Sequence, residues 1–217
     1  MIYERIKMRR HIQLLTTILI LTLFMIFGLA GCGEKEVIPV TEPTVEITAD
    51  GELIAYLVED FDKEYYDLGE LETMVREEVA DFVREQALVT ENGTEGMAVE
   101  SVAMVADGSK KVVVALRFAN SEIYADYFDV EAFFGTVAEA QDTGYGLSAA
   151  LTSVKDGEIF TEEDAKKNSK RKILVIDGSM IVRCPKEVLY IGTNASLTEE
   201  GFVDCTQSEG LKLIIMK

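Results

Sequence analysis

The stretch Val99–Phe118, VESVAMVADGSKKVVVALRF, sets two apolar runs on either side of Asp107-Gly108. In the second run Val112, Val114, Leu116 and Phe118 alternate, so a strand carries all four on one face. Asp-Gly between two such runs is the strongest short-range hairpin signal, because both residues tolerate the positive φ of a tight turn. The stretch therefore predicts an antiparallel hairpin with one buried face.

The same punctuation recurs outward from it. Asp50-Gly51 joins VEIT (Val45–Thr48) to LIAYLVE (Leu53–Glu59), and Asp177-Gly178 joins KILVI (Lys172–Ile176) to SMIVRC (Ser179–Cys184). Asp156-Gly157 lacks clear strands on both sides. Between the first two hairpins, Leu71, Val75, Val79 and Phe82 recur at helical spacing behind Asp67, a candidate N-cap. The other face of that helix is acidic, with Glu70, Glu77, Asp81 and Glu85. SEIYADYFD (Ser121–Asp129) reads as a shorter helix capped by Ser121, leading into a strand over EAFFGTVAEA (Glu131–Ala140). GLKLIIMK (Gly210–Lys217) reads as the last strand. The order is α+β: a mostly antiparallel sheet built from Asp-Gly hairpins, with one long amphipathic helix and one short helix packed on it.

The N-terminus follows a different logic. Arg5, Lys7, Arg9 and Arg10 precede an uncharged, mostly apolar run of 17 residues, Leu14–Ala30. As a helix it spans roughly 26 Å, short of the ~30 Å hydrocarbon core, but it suits the apolar region of a signal peptide. Leu29-Ala30-Gly31-Cys32 closes the run and resembles the lipobox of bacterial lipoproteins. That resemblance implies cleavage after Gly31 and a thioether from the Cys32 sulfur to diacylglycerol, with fatty acyl chains such as palmitate as the anchor; an uncleaved signal anchor is the alternative. Two acyl chains pass the threshold for stable membrane attachment, at about 0.8 kcal/mol per buried CH₂. The chain is similar in this respect to the small acidic lipoproteins of Gram-positive bacteria. The expected organisation is a removed leader over 1–31, a lipidated Cys32 with an extended Pro39- and Pro43-bearing tether over 32–45, and a single α+β extracytoplasmic domain over 46–217.

Charge and composition narrow the chemistry. The first 31 residues hold one acid and four bases, so the remaining 186 carry 38 acids against 17 bases, a net charge of −21. Such a surface does not bind nucleic acid, whose phosphates need a cationic face. The one histidine, His11, lies in the leader, which excludes His-dependent triads and His-bearing metal sites from the mature chain. No cofactor motif is present.

Several constellations remain. Asp60, Asp62 and Glu64 occupy positions 1, 3 and 5 of a calcium-loop pattern, but Tyr65 and Leu71 stand where Gly and Glu are required, so the pattern fails. Tyrosines 65, 66, 124 and 127, with Phe128, Phe133 and Phe134, either line a cleft or close the core; core is the default. Lys166–Lys172 is the one basic cluster; it either touches anionic lipid headgroups or wall polymers or, the favoured reading, is a solvated loop guarding the β-prone run behind it. Cys184 and Cys205 either form a disulfide, which an extracytoplasmic setting permits, or are two small buried apolar side chains. Asn92 and Asn194 sit in glycosylation-like triplets and read as loop residues.

The composite expectation is a protein held to the bilayer through acylated Cys32, on the extracytoplasmic face of the cell membrane, with a non-enzymatic binding or accessory role towards an envelope protein or glycan. No catalytic or metal-ligating residue is assigned. The alternative is a carboxylate-dependent, glycosidase-like envelope hydrolase.

Overall fold

The computed structural model of the chain describes residues 40–89, 95–148 and 150–217. Leu29, Ala30, Gly31 and Cys32, where a lipobox was expected, lie outside the described residues, as does Asn92. The element order is β1 (Thr44–Ile47), β2 (Leu53–Asp60), α1 (Leu68–Glu85), β3 (Met97–Met104), β4 (Lys111–Phe118), α2 (Ser121–Phe128), β5 (Ala132–Thr136) and α3 (Val137–Asp142). It continues with β6 (Leu151–Ser153), α4 (Glu162–Lys167), β7 (Lys172–Asp177), β8 (Ile181–Arg183), β9 (Val188–Gly192), β10 (Ser196–Leu197), β11 (Val203–Asp204) and β12 (Leu211–Met216). The fold is mixed α/β with mostly antiparallel strands. Thr44 and Val45, expected in the tether, already belong to β1.

One sheet was expected; two form. The first has the order β10-β11-β8-β1-β2-β4-β3, and the second β5-β7-β12-β9-β6. The first two hairpins close as the Asp-Gly dipeptides require, pairing Ile47 with Leu53 and Met104 with Val112. In β4 the alternation puts Val112, Val114, Leu116 and Phe118 inside, all buried. The register of β3 shifts between Val99 and Ser101, a bulge that returns Val102 to the face opposite Val114. Asp156-Gly157 also reverses the chain, with Ser153 and Glu158 bonded across it and a bridge from Thr152 to Ile159.

Asp177-Gly178 does not make a hairpin. Here the chain leaves the second sheet and enters the first: β7 pairs with β5 and β12, whereas β8 pairs parallel with β1 and antiparallel with β11. The reason lies in β7. Ile173, Leu174, Val175 and Ile176 are all fully buried, because the second sheet is covered on both faces. One face packs with the first sheet, α1 and α2 around Leu174, Ile176 and Ile214. The other face, with Ile173, Val175 and Ile215, is closed by Val137 and Ala140 of α3, Ala165 of α4 and Phe160.

The helices begin where polar side chains satisfy free backbone N–H groups. Asp67 accepts from the Glu70 N–H at 2.9 Å and starts α1 as expected. For α2 the cap is Asn120, not Ser121; the Ser121 hydroxyl instead accepts from the Phe134 N–H at 2.9 Å and ties the helix to β5. The strand expected over EAFFGTVAEA stops at Thr136, where Thr136 and Glu139 form a capping box and α3 begins.

Candidate functional site

α1 has 18 residues, yet only Val79 and Val83, both in its second half, are fully buried. There Phe82 meets Tyr127 edge to face at 5.1 Å between centroids. In the first half Leu71 and Val75 are half-buried and Met74 is 65% exposed. The helix stands off the sheet at its N-terminal end, and the gap is an open groove of about 820 Å³. This lies within the 300–1,000 Å³ range of ordinary ligand sites.

The groove is built from four directions. Leu57 of β2 and Val112, Val114 and Leu116 of β4 form its floor. Leu71, Met74 and Val75 form the helix wall, Phe61, Tyr65 and Tyr66 the mouth, and Tyr127 with Phe128 the closed end. Glu59, Asp60, Asp67, Glu70 and Glu78 also line it, and no Lys or Arg does. Glu59 belongs here by strand parity, since it follows Leu53, Ala55 and Leu57 on the inward face of β2.

The mouth is a turn between β2 and α1. Phe61 N–H bonds to the Lys110 carbonyl at 2.7 Å and Tyr66 N–H to the Lys63 carbonyl at 3.1 Å. The turn holds Tyr65 77% and Tyr66 42% exposed, with their rings 5.0 Å apart. The aromatic segments therefore divide. Tyr124, Tyr127 and Phe128 surround Phe118 in the core, whereas Tyr65 and Tyr66 face solvent over the groove. At the closed end the Tyr127 hydroxyl donates to Glu78 Oε1 at 3.0 Å. Burial and that carboxylate push the Tyr127 phenol up to about 12.

The failed calcium pattern has been put to other use. Asp62 pairs with Lys63 at 3.0 Å and Asp67 caps α1. Among the described residues, no group of three or more Asp, Glu, His or Cys side chains is placed to hold a metal ion. No helix among them is long and apolar enough to cross a membrane.

The remaining candidates lie elsewhere. Cys184 and Cys205 are free thiols in this structure, Cys205 buried and Cys184 half-buried. The β8–β11 register sets Cys205 beside Met180, whose carbonyl accepts its N–H at 3.0 Å. Cys184 follows Arg183, the last residue of β8. Burial pushes the Cys184 thiol up to about 12 and the Cys205 thiol to about 11. In the basic cluster, Lys166 and Lys167 close the last turn of α4, with Lys167 bonded to Glu163 at 3.0 Å, and Lys172 lies over the Phe134 ring. Asn194 turns inward and donates to the Leu211 carbonyl at 3.1 Å.

Sequence reasoning did not single out Leu57, Met74, Glu59 or Glu78 as groove residues. The available signal was the weak apolar content of the first turns of α1, where Leu71, Met74 and Val75 are too few to close a helix–sheet interface.

Comparison of the chain with protein-family models, with curated proteins and with solved structures finds no match.

Proposed function

We propose that this protein is a non-enzymatic binding lipoprotein of the cell envelope, held on the extracytoplasmic face by acylated Cys32, and that the groove beside α1 is its binding site. The observation that carries the binding role is the open apolar groove: three of the exposed large hydrophobic side chains, Tyr65, Tyr66 and Met74, converge on one concave surface. Apolar side chains scattered singly are normal on a protein surface, but side chains gathered around a cleft mark an interaction site. The anchor rests on the basic leader and the Leu29-Ala30-Gly31-Cys32 junction.

Two measurements test the reading. Mass spectrometry of protein from its own membranes is expected to find Cys32 as the diacylglyceryl-bearing N-terminus, and Cys32→Ser is expected to leave the leader attached. A photo-crosslinker at Met74 of the full lipidated chain is expected to capture one envelope component in stoichiometric amount, and the same probe at exposed Glu199 to capture none. Cleavage of an envelope glycan, lost in Glu59→Gln, would replace binding with the hydrolase reading.

A further inference from the structure

Resting on the binding role just stated, we propose that the groove takes a cationic amphipathic helix of a partner protein, about three turns long, laid beside the first half of α1. Charge is the first argument. Carboxylates line the groove and no Lys or Arg does, although Lys111 stands opposite Asp60 in the β2–β4 register; those of Glu59, Asp60 and Glu70 have no hydrogen bond or ion pair among the described residues. Lys63, the base in the neighbouring turn, is already held by Asp62. Like charges against a low-dielectric wall focus a negative potential into the groove, which draws Lys and Arg and repels anionic lipid or phosphate.

Shape and surface chemistry carry the rest. From the N-cap Asp67 into α1 the lining residues Asp67, Glu70, Leu71, Met74, Val75 and Glu78 follow one face, a stripe of about 17 Å at 1.5 Å per residue. Carboxylates stand at its two ends, Asp67 and Glu70 at one and Glu78 at the other, with Leu71, Met74 and Val75 between them. A helix with apolar residues at i, i+3, i+4 and i+7 and bases on its flanks matches that stripe in both respects. Met74 is unbranched and exposed, so it can repack against the apolar anchors of such a helix.

Other occupants fit less well. A second copy of the mature chain carries a net charge of −21 and would set carboxylates against carboxylates. The chain's own tether, residues 32–45, carries three acids, Glu34, Glu36 and Glu42, against one base, Lys35, the wrong balance for this rim.

The test uses the mature lipidated chain in nanodiscs of phosphatidylcholine, a lipid of no net charge. Three fluorescent peptides of about 14 residues are titrated by anisotropy. One is a Leu/Lys amphipathic helix, one has the same apolar pattern with Glu for Lys, and one is a Leu/Lys scramble without an apolar face. The first is expected to bind at least about tenfold more tightly than either of the others. Glu59→Lys with Glu70→Lys is expected to weaken it about tenfold or more, and the control Glu199→Lys with Glu200→Lys, which has the same net charge, by less than about twofold. Crosslinking of the peptide from Met74 reads the same site without charge reversal. Equal affinity for the Lys and Glu peptides overturns the proposal, as does equal weakening by the groove and control variants. If Met74 captures a partner in native membranes while the Leu/Lys peptide fails to bind, the cationic helix is wrong and the binding role stands. If both fail, both are wrong.

Discussion

The Tyr127 hydroxyl lies 3.0 Å from Glu78 Oε1, joining α2 to α1 at the closed end of the groove. Phe82, one turn farther along α1, meets the same tyrosine ring edge to face. The helix is thus pinned at one end by a hydrogen bond and a ring contact, and free of the sheet at the other.

Removing the hydroxyl tests the pin. Tyr127→Phe keeps the ring contacts with Phe82 and Phe118 and loses only the bond to Glu78. Because the bond is partly solvated, the expected cost is about 1 kcal/mol, read as a lower urea midpoint at unchanged slope.

Alkaline pH tests the burial of Tyr124, whose ring packs against Phe118 and Phe128. Its phenol is pushed up to about 12 from the ordinary 10 by burial alone. A group with a raised folded-state pKa contributes stability that is complete below its unfolded value and lost as pH rises through the folded one. Stability should therefore fall between pH 10 and about 12, with Tyr124 responsible for about 2–3 kcal/mol and partly exposed Tyr127 for less. Tyr124→Phe is expected to leave the neutral-pH stability within about 1 kcal/mol and to flatten that alkaline limb.

The crossing between sheets is tested at Gly178. It has φ +136°, a backbone conformation that L side chains rarely adopt, and a Cβ there would also displace the flexible tip of the buried Met180 side chain. Gly178→Ala should cost about 2–3 kcal/mol. Gly108, in the hairpin of β3 and β4, has φ +78° and open space around it, so Gly108→Ala should cost only about 1 kcal/mol. Thermal unfolding of the two variants side by side gives the contrast.

The thiols give a chemical test. With Cys184 and Cys205 held near 12 and 11, the thiolate fraction at pH 8 is about one part in a thousand or less. The native domain is expected to resist alkylation at pH 8 and to take up two labels, at Cys184 and Cys205, once unfolded. Its mass should be the same with and without reductant.

Local features of the fold were legible because they depend on residues a few positions apart. Asp50-Gly51 and Asp107-Gly108 turn the chain wherever apolar runs flank them, and Asp67 caps α1 through a bond spanning three residues. Thr136 and Glu139 carry a capping box of the same short range, and the apolar run around them masks it. The β3 bulge is written in the three-residue step from Val99 to Val102, which breaks strict alternation. Lys212 escapes any local rule: on a strand that reads as half-exposed it is fully buried, its ammonium donating to the Gly210 and Ser208 carbonyls.

The candidate site was half legible. Its acidic residues and tyrosines stand out in DFDKEYYDLGE, but tyrosine by itself does not disclose its side of the surface. Tyr124 is 5% exposed and Tyr65 77%. Aromatic content is the same in both segments; the difference is that α2 packs against Phe118, whereas the turn before α1 has no facing element.

By itself, the amino-acid sequence determined the turns, the α1 cap, the alternating face of β4, the acidic composition and the absence of histidine after His11. These follow from composition and short-range hydrogen bonding. Only the tertiary structure decided that KILVI and SMIVRC part into different sheets and that α1 seats one half of its length. Both depend on which of several equally apolar surfaces meet across long stretches of chain. The hydrophobic effect rewards burial without naming the partner, and only the assembled packing selects it.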